Sequence, residues 1–248
     1  MNYSYLNSYL EEKGIYVVND KIKYDKEEKD TFKQIEKIIL FNKAISPYKE
    51  NVYPRIGASI GKEINNYGMQ IFLIERYIKL LEEKKNLNSI DFYLVKRGNY
   101  IINMGRKALN HIYINNYENL IKRSMLGYEV CLTRVDEGNL TVDDSGKIII
   151  RNIRYLTYNL IEHDMYSYIK RLKRKKIDYS MEEVIDHYIN TAKLENSSRE
   201  YLRGLAAYPS EELKIVERYI LGKLKIEEKE IIESLNKAAS IDNKGVII

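Results

Sequence analysis

The chain lacks several features that define particular protein classes. It has a single cysteine, Cys131, so no intrachain disulfide can form, which favours a reducing compartment. Its apolar runs are short, such as residues 71–74, whereas a membrane-spanning helix needs ~20 apolar residues. The first residues show no basic stretch followed by an apolar run, so no secretory signal is predicted. We therefore expect a soluble protein that is made in the cytoplasm and does not enter a membrane.

The sequence also lacks the motifs of several enzyme and metal-binding classes. It contains no glycine-rich dinucleotide or P-loop motif and no Gly-x-Ser-x-Gly elbow. Its three histidines, His111, His163 and His187, are not at metal-ligand spacing from one another or from the cysteine. Cys131 lies in an apolar strand, where a buried and unreactive thiol is expected. The sequence therefore predicts no cofactor and no metal.

The net charge is weakly positive, with 41 Lys and Arg against 36 Asp and Glu, which gives +5. The densest basic segment runs from residue 170 to residue 176. We favour its interpretation as a helix end whose cations suit the negative end of the helix dipole. A nucleic-acid surface is the alternative, because tyrosines flank the segment. The basic residues in question are Lys170, Arg171, Lys173, Arg174, Lys175 and Lys176.

Apolar residues recur at helical spacing through most of the chain, which predicts a mainly α (α+β) protein. Ser89 is a candidate N-cap, and Ser180 and Ser197 each begin a Ser-x-x-Glu capping box. Gly68 is expected in a loose segment together with Gly57. Helices are predicted over residues 2–13, 25–44, 69–83, 89–113, 117–125 and from 160 to the end.

A small β insert is predicted in the middle of the helical body. Its strands are expected over residues 129–133, 139–142 and 147–153, and the turn at 143–146 favours a hairpin between the last two. Residues 14–24 have room for at most one further hairpin.

The insert carries the most specific pattern in the chain. A strand, a loop, an asparagine, a hairpin and a second polar residue follow one another as in kinase-fold enzymes, which present a catalytic base and two metal ligands in this order. The chain resembles the spore-coat (CotS-like) family, which is related to aminoglycoside and choline phosphotransferases. In that family the loop reads Cys-His-Gly-Asp-x-x-x-x-Asn-(Ile/Val)-Leu. Cys131 matches the Cys, Leu132, Thr133 and Arg134 stand at the next three positions, and Asn139 keeps the Asn.

Other segments extend the resemblance over most of residues 30–222. Residues 152–154 stand where the family carries a metal-binding Asp or Asn, a Phe and an acidic residue. Residues 41–43 are similar to the Phe-His-Lys end of a helix, and residues 163–166 to the opening of a later helix. Residues 205–209 resemble a Leu-x-Tyr-Pro segment. The resemblance implies the helical C-lobe of the protein-kinase-like, aminoglycoside-phosphotransferase fold.

Three departures from the family pattern concern the chemistry. Arg134 stands at the position of the catalytic Asp, and a guanidinium cannot act as a base at neutral pH. Asn152 offers one neutral oxygen where Mg²⁺ prefers a carboxylate. The N-terminal part is too short for a nucleotide-binding lobe. We therefore expect a degenerate chain with a vestigial N-lobe at residues 1–30 and a C-lobe domain at residues 31–248.

Three functions follow from these patterns. The first is a non-catalytic, pseudokinase-like spore-coat protein with a structural or assembly role, partnered by other coat proteins or by copies of itself. It would not be an enzyme, and Arg134, Asn139 and Asn152 would be degenerate kinase-loop positions. The second is a divergent small-molecule kinase in which Asp136 or Asp164 substitutes as base. The third is a basic helical nucleic-acid-binding protein that uses residues 170–176.

Overall fold

A computed structural model describes residues 4–20, 22, 30–49, 54–175 and 179–248. Helices dominate it, as the apolar spacing predicts. They are α1 (Ser4–Glu12), α2 (Thr31–Ile45), α3 (Lys62–Leu81), α4 (Ser89–Ile114), α5 (Tyr117–Gly127), α6 (Glu162–Lys173), α7 (Met181–Ala192), α8 (Asn196–Ala207), α9 (Ser210–Ile220) and α10 (Glu228–Asp242). None of these described helices is long and apolar enough to cross a bilayer.

Short strands form two three-stranded sheets in the described part of the chain. The strands are β1 (Ile15–Val17), β2 (Gly57–Ala58), β3 (Val130–Cys131), β4 (Leu140–Val142), β5 (Ile148–Ile150) and β6 (Thr157–Tyr158). One sheet has the order β1-β5-β4 and the other the order β2-β6-β3. A single-turn 3-10 helix, Ile153–Tyr155, connects β5 to β6.

The predicted hairpin is confirmed, and the rest of the β prediction needs correction. β4 and β5 pair antiparallel, and Asp143 stabilises their turn because its side chain accepts the N–H groups of Ser145 and Lys147. β3, predicted in the same insert, instead pairs with β6 in the second sheet. In residues 14–24, β1 runs parallel to β5. The remainder of that predicted hairpin falls largely on residues 21 and 23–24, outside the described residues.

Side-chain capping decides where several helices begin, and some of these boundaries differ from the sequence predictions. Asn88, and not Ser89, caps α4, since its side chain accepts the N–H groups of Ile90 and Asp91. The Ser180 capping box is present. The Ser197 box is absent, because α8 already begins at Asn196. Gly68 lies inside α3 and not in a loose segment.

The N-cap of α2 is also set by one side chain. Asp30 accepts the N–H groups of Phe32 and Lys33, so the helix begins at Thr31. The predicted start at residue 25 falls on residues 25–29, which lie outside the described part of the chain.

Two glycines allow α3 and α4 to approach closely. A Cβ atom at Gly98 would lie 2.3 Å from Cδ1 of Ile78, and one at Gly105 would lie 3.0 Å from Cδ1 of Ile71. Both isoleucines are buried in the core between the two helices. Any larger residue at Gly98 would therefore force the Ile78 side chain to move or the helices to separate.

The C-terminal helix is tied into the body by a buried polar contact. Asp242 of α10 accepts the N–H groups of Glu211 and Glu212, which are the first residues of α9 after Ser210. Its carboxylate also lies 3.4 Å from Nζ of Lys173 at the end of α6, and both side chains are nearly inaccessible to solvent. Three helices thus meet at one buried ion pair.

Residues 4–17 pack on the same core as the rest of the molecule. Leu6, Leu10 and Ile15 are buried in the cluster that also contains Ile38 of α2 and Ile150 of β5. The boundary between a vestigial N-lobe at 1–30 and a C-lobe domain at 31–248 stays a prediction.

Candidate functional site

The loop that follows β3 is held by one fully buried carboxylate. Asp164 of α6 accepts the backbone N–H of Leu132 at 3.1 Å and that of Thr133 at 2.6 Å. The side-chain amide of Asn42, from the end of α2, donates to the same carboxylate at 2.8 Å. Burial raises the pKa of Asp164 to about 6, although the three hydrogen bonds act in the opposite direction. Two segments singled out in the sequence, residues 41–43 and 163–166, therefore meet beneath the loop.

The backbone of Thr133 adopts the left-handed conformation, with φ of 62°. A β-branched residue is strained in this region, which glycine occupies freely. The family that the chain resembles carries Gly at this position. The loop thus has a turn at Thr133 that glycine would adopt more easily.

Asp136 organises the second half of the loop. Its carboxylate accepts the N–H of Gly138 at 3.2 Å and the side-chain amide of Asn139 at 2.9 Å. Its backbone carbonyl accepts the N–H groups of Asn139 and Leu140. Asp136 therefore stabilises the turn that leads into β4 and fixes the orientation of the Asn139 amide.

A similar turn follows β5. The side-chain oxygen of Asn152 accepts the backbone N–H of Arg154 at 3.0 Å and caps the 3-10 helix. The guanidinium carbon of Arg134, in the loop after β3, lies 4.2 Å from the ring centroid of Tyr155. This distance is that of a cation–π contact, which holds Arg134 against the 3-10 helix.

The structure brings together the three residues that the sequence resemblance predicts to be degenerate kinase-loop positions. Arg134, Asn139 and Asn152 line one cavity of about 360 Å³. Arg151 and Arg154 line it as well, and the backbone N–H of Arg151 donates to the carbonyl of Asn139 at 3.0 Å. We call this the arginine cavity. Its remaining described lining residues are Asn7, Val17, Asn19 and Ile153.

Within the part of the chain that the structure describes, no carboxylate compensates the charge of the arginine cavity. Arg134, Arg151 and Arg154 are exposed, and none of them pairs with a carboxylate within the described residues. No Asp or Glu belongs to the described lining. Three guanidinium groups around one small cavity create a positive potential and offer forked N–H donors, the usual features of a phosphate or carboxylate site.

The donors present do not fit the Mg²⁺ ion that the resemblance to kinase-fold enzymes implies at these positions. Mg²⁺ prefers carboxylate oxygens in a near-octahedral arrangement. Here the lining offers neutral amides, and the side-chain oxygen of Asn152 already accepts the N–H of Arg154. Among the residues that the structure describes, no group of three His, Cys, Asp or Glu side chains is arranged to hold a metal.

Of the two candidate bases, only Asp136 is partly accessible. Both oxygens of Asp164 accept hydrogen bonds from the loop backbone, and the side chain has no solvent exposure. Asp136 keeps partial exposure, and its carboxylate lies 3.7 Å from a guanidinium nitrogen of Arg171. Asp164 is therefore a positioning residue, and Asp136 is the remaining candidate base.

A second cavity lies at the contact of α3 and α6. Thr133 and His163 line it together with Glu63 and Lys170. The carboxylate of Glu63 accepts Nζ of Lys170 at 3.0 Å and the hydroxyl of Tyr67 at 2.7 Å. Burial lowers the pKa of His163 to about 4, so this imidazole is neutral near pH 7.

The basic segment is largely compensated by acidic neighbours. Lys170 pairs with Glu63 and Arg174 with Glu211, while Lys173 pairs with Asp242. Arg171 and Lys175 both approach Glu137. Lys176 lies outside the described residues. The cations that the structure describes in this segment therefore form ion pairs with neighbouring carboxylates, which reduce the net positive potential of the segment.

Cys131 takes no part in the arginine cavity. Its thiol is fully buried and donates to the carbonyl of Leu160 at 2.9 Å. Burial raises the pKa of this thiol well above its ordinary value, so it stays protonated.

Sequence reasoning missed Arg151 and the contributions of Asn7 and Asn19. Arg151 ends the β5 segment one position before Asn152, and a charged residue next to a predicted site residue was a usable signal. Asn7 and Asn19 come from α1 and the segment after β1. Only the parallel pairing of β1 with β5 brings that part of the chain to the cavity, and no local pattern indicates this pairing.

Comparison with known proteins supports the fold. No protein-family model matches this chain, and no curated protein does either. A solved structure that is similar to it is an aminoglycoside phosphotransferase from Alicyclobacillus acidocaldarius, with a TM-score of 0.65 at 10% sequence identity. The match covers 86% of this chain and 62% of that protein, so the chain spans less than two thirds of its relative. The chain therefore has a mostly helical, aminoglycoside-phosphotransferase-like fold.

This similarity corrects one prediction and leaves others open. The prediction that the chain is not an enzyme is contradicted, because the chain shares the fold of a phosphotransferase. That prediction rested on Arg134, on Asn152 and on the short N-terminal part, and these features do not exclude activity for a whole fold. Membership of the spore-coat family and the absence of an N-lobe stay predictions from the resemblance.

Proposed function

We propose that this chain binds the phosphate group of a small phosphorylated molecule in the arginine cavity. The observation that carries the proposal is the set of three guanidinium groups, from Arg134, Arg151 and Arg154, that pair with no carboxylate of the described residues and surround a cavity with no acidic residue in its described lining. Arginine binds phosphate oxygens through two parallel N–H donors, which gives both charge and orientation.

The size of the cavity supports a small ligand. Small-molecule sites usually measure ~300–1,000 Å³, and the arginine cavity is near the lower end with about 360 Å³. Asn7, Asn19 and Asn139 add neutral amides that can contact an uncharged part of the ligand. Phosphate binding at this place also agrees with the phosphotransferase-like fold.

Calorimetry with phosphorylated and unphosphorylated ligands tests the proposal. Pyrophosphate and ADP are expected to bind with one-to-one stoichiometry, and adenosine at least about tenfold more weakly. Arg151→Gln should weaken pyrophosphate binding by about tenfold or more, because one charge-assisted contact is lost. Arg76→Gln is the matched control, since Arg76 is an exposed arginine of α3 that does not line the cavity. The absence of saturable binding of any phosphate up to millimolar concentration would contradict the proposal.

Phosphoryl transfer from a nucleotide is a second candidate function. The observation that favours it is the likeness to an aminoglycoside phosphotransferase, together with Asp136 as a partly exposed carboxylate of the loop. ADP release from ATP would be measured with a panel of hydroxyl-bearing small molecules. Transfer by the native chain that is lost in Asp136→Asn would support this function. No release above the rate without protein, with any acceptor, would exclude it for that panel.

The proposed cellular role and partners of this chain are supported only by its resemblance to spore-coat proteins. A structural or assembly role, deposition in a spore coat and contact with coat proteins or with copies of itself are compatible with phosphate binding. Binding to nucleic acid draws less support, because the described cations of residues 170–175 are paired with carboxylates.

A further inference from the structure

The arginine cavity holds a surplus of positive charge where kinase-fold enzymes hold a metal ion. We propose that it binds phosphate without a divalent cation, and that the guanidinium groups of Arg134, Arg151 and Arg154 supply the positive charge that Mg²⁺ supplies elsewhere. This inference rests on the proposed function, since it specifies the ionic form of the ligand at the same site.

The first argument concerns the donors that a metal would need. Asn152 uses its side-chain oxygen to cap the 3-10 helix by accepting the N–H of Arg154 at 3.0 Å. The amide of Asn139 is fixed by Asp136 at 2.9 Å. The described lining contains no carboxylate, so a hard cation would have only neutral oxygens to bind.

The second argument concerns electrostatics. A divalent cation that enters the cavity approaches three positive groups that no described carboxylate neutralises. Repulsion between like charges at short range opposes its binding. A phosphate that carries Mg²⁺ has lost part of its negative charge, so its attraction to the three arginines is weaker than that of the free anion.

The third argument concerns the placement of the arginines. Arg134 comes from the loop after β3, whereas Arg151 and Arg154 flank the turn after β5, so two separate segments of the chain supply the charges. The ring of Tyr155 lies 4.2 Å from the guanidinium carbon of Arg134 and restrains it. A restrained arginine loses less side-chain entropy when it binds an anion.

The expected ligand is thus a metal-free phosphate ester or pyrophosphate with at least two negative charges. Calorimetric titration of pyrophosphate, once in EDTA and once with excess free Mg²⁺, tests this directly. Affinity in EDTA should equal or exceed the affinity in Mg²⁺, and it should fall steeply as salt is added. Saturable binding that appears only with Mg²⁺ would overturn the inference while leaving the proposed function intact. A lack of binding in both buffers would remove the proposed function itself.

Two variants of Arg134 sharpen the test, and both alter an exposed side chain. Arg134→Gln should weaken binding in EDTA by about tenfold or more, with no gain from Mg²⁺. Arg134→Asp places a carboxylate beside Asn139 and should weaken binding in EDTA further, while Mg²⁺ now restores part of the affinity. Thermal unfolding confirms that each variant is folded before it is titrated. Equal affinity of both variants and the native chain in EDTA would contradict the role of Arg134.

Discussion

The carboxylate of Asp164 fixes the backbone of Thr133 through a hydrogen bond of 2.6 Å from the Thr133 N–H. Thr133 is held there in the left-handed region, with φ of 62°, directly before Arg134. A buried side chain on α6 thus sets the course of the loop that carries the first arginine of the cavity. The effects of changing either residue can be measured separately.

Asp164→Asn should destabilise the protein. The carboxylate accepts from Leu132, Thr133 and Asn42, whereas an amide keeps one oxygen and turns an NH₂ group toward at least one of these donors. The free energy of unfolding, measured with urea at pH 7, should fall by about 1–3 kcal/mol. Asp144→Asn in the exposed hairpin turn is the control and should change it by less than about 0.5 kcal/mol. Equal values for the two variants would mean that the buried carboxylate does not hold the loop.

Thr133→Gly should stabilise the protein. A left-handed conformation costs a non-glycine residue roughly 1–2 kcal/mol, and glycine removes this cost while it adds freedom to the unfolded chain. We expect a net gain of about 0.5–1 kcal/mol in the free energy of unfolding. Thr141→Gly, in strand β4, should instead lose about 1 kcal/mol, because glycine is unfavourable in a strand. A loss at both positions would show that Thr133 is not strained.

His163 should make stability sensitive to acid. Burial lowers its pKa from 6.5 to about 4 in the folded protein, and its Nε2 atom lies 2.8 Å from the Tyr201 hydroxyl. Since the unfolded chain binds the proton more readily, this contribution is complete above pH 6.5 and is lost as the pH falls toward 4.

His163→Gln removes this titration and serves as the comparison for acid unfolding. The difference in unfolding free energy between the native chain and His163→Gln should shrink as the pH falls from 7 to 4. The change in that difference is on the order of 2–3 kcal/mol. A difference that is constant with pH would rule out the shifted pKa.

Asp242→Ala should be among the more damaging changes in the C-terminal helix. The substitution leaves Lys173 buried without its anion and removes the acceptor for the first N–H groups of α9. A loss of about 3–5 kcal/mol is expected for breaking a buried pair. The double variant Asp242→Ala with Lys173→Met should be more stable than Asp242→Ala alone, because no uncompensated charge remains. If the double variant is less stable, the buried ammonium is not the source of the loss.

Local patterns predicted much of the fold. The hairpin of β4 and β5 followed from the Asp143 turn, and the start of α7 followed from the Ser180 capping box. Both depend on residues within a few positions of one another. The cap of α4 was assigned to Ser89 and not to Asn88, because two neighbouring polar residues compete and only the side-chain geometry decides between them.

The candidate site was predicted less completely. The resemblance to the spore-coat family pattern singled out Arg134, Asn139 and Asn152, and the structure does bring them to one cavity. The contact between Asn42 and Asp164, 122 residues apart, and the parallel pairing of β1 with β5 were not predictable from local patterns. Long-range contacts of this kind determine which charges share a cavity. The set of three arginines without a carboxylate partner among the described residues could therefore be recognised only from the structure.

The most direct test of the account is the NMR spectrum of the arginine Nε–H groups during a pyrophosphate titration in EDTA. The signals of Arg134, Arg151 and Arg154, assigned by their loss in the three Arg→Gln variants, should shift together along one saturable curve. The signal of Arg76, which lies outside the cavity, should not move. Two results would contradict metal-free phosphate binding in the arginine cavity. In one, the Arg76 signal shifts as far as the signals of the three cavity arginines. In the other, the three cavity signals remain unchanged at saturating pyrophosphate.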